Sequence, residues 1–140
     1  MEPNHKDMEY RYLGKTGLKV SVFSYGNMGA FNTRENIDKQ KAIISKLLEK
    51  GVNFFDTAEN YSSGQAESNL GTVFKELGVR RESIVVTTKL YKVNCEGSKP
   101  PKNPNDTFLS RKHIIEGMNN SLKRLQMDYV DVVYCHRPDM

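Results

Sequence analysis

Apolar residues along this chain follow two alternating rhythms. Short unbroken runs rich in β-branched and aromatic residues occur at Val22–Tyr25, Val52–Phe55, Ile84–Thr88 and Tyr129–Cys135. Between them lie stretches where apolar positions recur about every 3.6 residues. One comprises Ile37, Ala42, Ile43, Ile44, Leu47 and Leu48, and a second Ala66, Leu70, Val73, Phe74 and Leu77. A third comprises Ile114, Ile115, Met118, Leu122 and Leu125. The runs predict strands and the periodic stretches predict amphipathic helices. Gly51 and Gly78 stand where left-handed C-caps belong, and Ser110 is placed as an N-cap. Runs without polar alternation fit strands buried on both faces, as in a parallel sheet.

Ahead of these, Tyr10–Leu13 and Leu18–Val20 flank Gly14-Lys-Thr-Gly17, which predicts a hairpin. Residues 1–8 are polar and read as a flexible tail. Val93–Thr107, with prolines at 100, 101 and 104, predicts a long surface loop. The order is a hairpin followed by β-α-β-α-β-α-β. Right-handed crossovers would make successive strands parallel neighbours.

Three of the runs stop at an ionisable residue: Asp56, Lys89 and His136, spaced 33 and 47 positions apart. In a repeating β/α protein the carboxyl ends of the strands share one rim, where such groups face a common mouth. Tyr61 lies in the loop after Asp56. Taken singly, each has an ordinary reading. An aspartate after a strand caps helices, a loop tyrosine packs, a strand-end lysine reaches water, and a lone histidine is structural. Together they make a proton-transfer set. A phenol with a pKa of about 10 is a poor acid–base group at neutral pH. An adjacent ammonium stabilises phenolate, and a carboxylate keeps that ammonium charged and aimed. The phenol can then exchange a proton near neutrality, and an imidazole can orient a substrate oxygen. This suits carbonyl reduction, in which hydride reaches carbon while the phenol protonates oxygen. No side chain supplies hydride, so a nicotinamide cofactor is implied. The run Gly26-Asn27-Met28-Gly29, after the first strand, offers close approach to a ligand.

Composition narrows the field. The 140 residues fit one domain, and 37% apolar with 27% charged content fits a globular chain with a core. The net charge of +4 is dispersed, without a basic stripe carrying aromatics, so nucleic acid is not an expected partner. No apolar stretch approaches the ~20 residues of a membrane helix, so no membrane insertion is expected. The polar start has no apolar stretch like a signal peptide's. Cys95 and Cys135 show no metal-ligand spacing, so no metal site and a reduced, cytoplasmic setting are expected.

The segments Asp56-Thr-Ala-Glu-Asn-Tyr61, Thr-Thr-Lys89 and Tyr-Cys-His136-Arg-Pro-Asp139 resemble signature segments of the aldo-keto reductases. Tyr12-Leu-Gly-Lys-Thr-Gly-Leu-Lys-Val-Ser21, Ser110-Arg-Lys-His-Ile-Ile-Glu-Gly117 and Leu122-Lys-Arg-Leu-Gln-Met-Asp-Tyr-Val-Asp-Val-Val133 resemble the branch containing the potassium-channel β subunits. The resemblance runs from about residue 9 to the end. It implies a (β/α)₈ barrel, an NADPH-dependent reductase of small carbonyl compounds, and Asp56, Tyr61, Lys89 and His136 as the catalytic set. Gly26, Asn27, Met28 and Asp56 are the implied cofactor contacts. Asn27-Met28 departs from the family's usual threonine or alanine followed by tryptophan, and Arg34 stands near the place of a cofactor glutamine. The alternative role that the resemblance implies is a channel accessory subunit, with a channel or a second copy of the chain as partner. A complete barrel takes about 250 residues. The expectation is therefore the N-terminal half of one, spanning 9–140 and ending after the fourth barrel strand, inactive alone because most of the cofactor site would lie in later strands.

Overall fold

The computed structural model describes residues 1–29, 34–91 and 103–139. Strands β1 (Tyr10–Tyr12) and β2 (Lys19–Ser21) pair antiparallel around the glycine turn. The chain then alternates through β3 (Ser24–Gly26), α1 (Arg34–Glu49), β4 (Phe54–Asp56), α2 (Gln65–Glu76), β5 (Val85–Leu90), α3 (Arg111–Leu125) and β6 (Val132–Cys135). The four later strands form one sheet in the order β3-β4-β5-β6, every pairing parallel. The α/β class with a parallel sheet is as the hydrophobic pattern predicts. Most of the predicted long loop, including Cys95, lies outside the described residues.

The core forms where the helices cover the sheet. Ile44 and Leu48 of α1, Phe55 of β4, Leu70, Val73 and Phe74 of α2, Val86 of β5 and Leu125 of α3 are buried together. The Phe55 and Phe74 rings meet edge to face, with centroids 5.0 Å apart, a geometry aromatic pairs favour. Gly51 ends α1 with φ +85°, the left-handed conformation expected of it.

The inward face of α3 shares Leu125 with the predicted stripe and otherwise differs from it. Ile114 and Ile115 are 41% and 45% exposed, while His113, Gly117, Ser121 and Leu125 point inward. Their spacing of four residues traces a row whose two middle members, Gly117 and Ser121, are small, which lets the helix lie close. The same closeness appears at Gly71 of α2, where a Cβ would run into the backbone carbonyl of Leu125. Hydrophobicity pointed to the isoleucines; close approach selected the small residues.

The hairpin and the N-terminal segment lie at the end of the sheet where the strands begin. Ser21 N–H donates to Asn53 Oδ1 at 2.8 Å, and Asn53 N–H to Ser21 Oγ at 3.1 Å. Residues 1–8 make contacts of their own. Pro3 is buried, Asn4 N–H donates to the Leu48 carbonyl at 2.9 Å, and Met8 packs on the core.

Candidate active site

The sheet register brings the strand ends level. Gly26 pairs with Asp56, Asp56 with Thr87, and Lys89 with Tyr134. Lys89 lies within β5, one residue before its end, rather than just past it. His136 follows β6 directly, and its N–H donates to the Leu90 carbonyl at 3.0 Å. Three side chains from three strands thus reach the same rim.

Lys89 is the hub. Its Nζ lies 2.6 Å from Asp56 Oδ2, 2.8 Å from the Thr57 carbonyl and 3.0 Å from the Tyr61 hydroxyl. An ammonium has three donors and no acceptor, so all three protons are directed and one falls on the phenol oxygen. The phenol's own proton is then left to point elsewhere. Asp56 Oδ1 accepts from Thr87 Oγ1 at 2.6 Å, which fixes the carboxylate from its other side. The Tyr61 and His136 rings meet edge to face with centroids 5.6 Å apart. Burial lowers the pKa of His136 below the ordinary histidine value. The positive charges of Lys89 and Arg137 lower it further, against smaller opposing effects of Asp56 and Glu59. The imidazole is therefore neutral near pH 7, with one ring nitrogen free to donate and the other to accept. The structure brings together the three residues predicted from the strand ends and Tyr61 from the loop after β4.

Tyr61 owes its direction to an unusual turn. Ser62 and Ser63 have φ of 48° and 56°, and Gly64 has φ 88°. Two successive non-glycine residues in the left-handed region cost about 1–2 kcal/mol each. Ser63 N–H donates to the Asn60 carbonyl at 3.2 Å, and the Arg124 side chain packs against Gly64. The turn reverses the chain immediately after the phenol and opens α2.

Buried acids that the sequence reading passed over lie beneath the rim. Glu67 is fully buried; it accepts from Thr88 Oγ1 at 2.6 Å and pairs with Arg124 at 2.7 Å. Glu59 is fully buried as well and lies 3.0 Å from His113 Nε2. A signal was present. The row His113, Gly117, Ser121, Leu125 recurs every four residues, and small side chains in such a row mark a close-packed face.

The predicted cofactor contacts are placed differently from one another. Gly26 ends β3 at the surface, with open space where a Cβ would stand. Met28 is 77% exposed. Asn27 is buried and donates through Nδ2 to the Ala66 carbonyl at 2.7 Å, so its side chain anchors the loop to α2. Arg34 binds Glu76 at 2.7 Å and Asp38 at 2.7 Å rather than reaching the rim. Among the described residues no cluster of three or more histidine, cysteine or acidic side chains is arranged to hold a metal. Among the same residues no helix is long and apolar enough to cross a membrane.

A parallel β/α unit with carboxylate, ammonium, phenol and imidazole gathered at the carboxyl ends of its strands has the make-up of an acid–base enzyme site. Residues 23–140 match the profile of the Aldo/keto reductase family, and the chain belongs to that family. It is 49% identical over 132 residues to a "Probable voltage-gated potassium channel subunit beta" of Oryza sativa subsp. japonica. It is 50% identical over 132 residues to a protein of the same name in Arabidopsis thaliana. A "Putative voltage-gated potassium channel subunit beta" of Schizosaccharomyces pombe is 46% identical over 135 residues. These alignments cover 94%, 94% and 96% of this chain but 38% of each relative.

Proposed function

We propose that this chain carries the proton-donor side of an aldo-keto reductase reaction, the NADPH-dependent reduction of an aldehyde or ketone. The observation that supports it is Lys89 Nζ at 2.6 Å from Asp56 and 3.0 Å from the Tyr61 hydroxyl. In this reading Tyr61 protonates the carbonyl oxygen. Lys89 holds the phenol by its oxygen and offsets negative charge as the proton leaves. Asp56 keeps Lys89 charged and aimed, and neutral His136 hydrogen-bonds the substrate oxygen. When bound, the nicotinamide supplies the hydride. Gly26, level with Asp56 at the rim, leaves open space that fits a flat ring, and exposed Met28 follows it; Asn27 takes part through its backbone alone, because its side chain faces inward. We assign the fold as the N-terminal half of a (β/α)₈ barrel, on the consecutive order and uniform parallel pairing of β3 to β6.

The chain spans less than two-fifths of the relatives it matches, so the test restores the remainder. Residues 1–140 replace the matching segment of a relative, and NADPH oxidation is followed with a simple aromatic aldehyde. Turnover is expected, and it should fall by a factor of about 10²–10⁴ in Tyr61→Phe. Undiminished turnover in that variant contradicts the reading. The chain on its own is expected to show no turnover.

The relatives' names favour a second reading, a channel accessory subunit. Co-purification of the same chimera with a potassium-channel tetramer is its test, and failure to associate removes it. Sedimentation of the chain alone decides whether it self-associates.

A further inference from the structure

Glu59 sits between Asp56, the last residue of β4, and Tyr61 in the loop that follows, three residues after the one and two before the other. Its backbone and side chain both bind the end of β5. Thr57 N–H donates to the Thr87 carbonyl at 3.0 Å, and Glu59 N–H to the Lys89 carbonyl at 3.1 Å. The next rung is made by the side chain, because Glu59 Oε1 accepts from Tyr91 N–H at 2.5 Å. The ladder between β4 and β5 thus continues past the end of β4 and straddles Lys89 and Leu90. From the far side His113 Nε2 closes on the same Oε1 at 3.0 Å. His113 is itself fixed, since Ser110 Oγ accepts from its N–H at 3.1 Å at the start of α3. Gly117, one turn on, leaves room for this approach; a Cβ there would lie 3.0 Å from Glu59 Oε2.

A buried carboxylate is expensive unless its charge is matched by hydrogen bonds. The fold nonetheless places an acid here, where the Tyr91 N–H and His113 Nε2 converge on Oε1. Those donors come from the strand that bears Lys89 and from the helix behind it. The carboxylate holds the loop that carries Tyr61. We infer that Glu59 and His113 form a positioning clamp that sets the Tyr61 phenol against the Lys89 ammonium and the His136 ring. Neither residue touches the reacting atoms; both act through the loop 57–61. The inference rests on the proposed role of Tyr61, and it extends the site to a pair that family membership does not assign.

The test uses the chain with ring-labelled tyrosine and histidine. NMR reads the contact between the Tyr61 and His136 rings and the hydrogen exchange of the Tyr61 amide, with assignments from Tyr61→Phe. Glu59→Met keeps the side-chain length and removes the acceptor. The ring contact should disappear and Tyr61 exchange should rise by about tenfold or more. Glu59→Gln retains an oxygen acceptor and should restore both signals. Asp131→Asn, at the opposite end of the sheet, should lower the melting temperature and leave both unchanged. If Glu59→Met melts lower yet keeps the wild-type ring contact and exchange, the clamp is only structural and the inference fails. Should Glu59→Met not fold, His113→Met decides by the same two signals, and unchanged signals again overturn the inference. Tyr61→Phe with full turnover in the chimera would sink the proton-donor role while leaving these signals as measured, so the two failures are distinguishable.

Discussion

Two ion pairs brace this sheet, one at each end. At the rim, Lys89 and Asp56 join β5 to β4 across 2.6 Å. At the foot, Arg81 binds Asp131, just before β6, also across 2.6 Å and at similar burial. Their surroundings differ. Arg81 also donates to the carbonyls of Ile84 and Tyr129, and its guanidinium lies 3.8 Å from the Tyr129 ring centroid. Asp131 accepts from Val86 N–H at 2.7 Å through the same oxygen that Arg81 binds. Every partner at the foot is a fixed part of the fold. At the rim the third partner is a phenol, whose own proton points away from the pair, and a neutral imidazole stands beside it. On the proposed reading, the same ion-pair chemistry serves as a rivet at one end and as part of a proton-transfer set at the other. A third partner with a transferable proton makes the difference.

The comparison breaks most visibly at Lys89. Lys89→Met removes the ammonium from Tyr61 and Asp56 together. Turnover of the chimera is expected to fall by about 10³-fold, in the range that acid–base and electrostatic groups contribute. Steady-state rates with a simple aldehyde check this, and a loss under tenfold would put the pair at the rim on the same footing as the pair at the foot.

Asp131→Asn is the matching change at the foot. It leaves a half-buried guanidinium without its counter-charge and weakens the bond to Val86. The expected loss is about 2 kcal/mol, read as a lower denaturant midpoint with an unchanged slope. Turnover well below the melting temperature should stay within about twofold, since a change remote from the site and sharing no partner with it moves rates little.

The smallest expected effect is a pH dependence at His136. Its folded-state pKa lies below the ordinary value, with burial the leading cause. Between that lowered value and about 6.5 the unfolded chain binds more protons than the folded one, so stability falls as pH falls through this window. His136→Gln should flatten that slope, measured as melting temperature from pH 7 to 5. An unchanged slope would assign the acid sensitivity to other groups.

The foot and the rim also differ in how far the sequence discloses them. Strand ends are legible because each apolar run stops at its charged residue, so Asp56, Lys89 and His136 can be placed at one mouth from spacing alone. Tyr61 follows from its proximity to Asp56. The left-handed turn after it is not legible, since Ser62 and Ser63 have no conformational signature. The Glu59–His113 pair joins residues 54 positions apart, and local patterning marks the close-packed face of α3 without disclosing the acid that it meets. Hydrophobic periodicity chose Ile114 and Ile115 for the inner face of α3, because it weighs side-chain apolarity and not how near two backbones come. Asn27 shows the same limit. A polar residue in a glycine-rich loop looks ready for a ligand, and only the fold shows its amide donating to the carbonyl of Ala66, 39 residues on.

The central claim is that the rim transfers a proton while the foot only holds the sheet. The most direct measurement sets turnover against melting temperature for Tyr61→Phe and Asp131→Asn in the chimera. The expected result is a crossing: Tyr61→Phe loses at least about hundredfold in turnover and melts as the parent does, while Asp131→Asn melts lower and keeps its turnover. Tyr61→Phe retaining full turnover, or both variants losing rate in proportion to stability, would contradict the account.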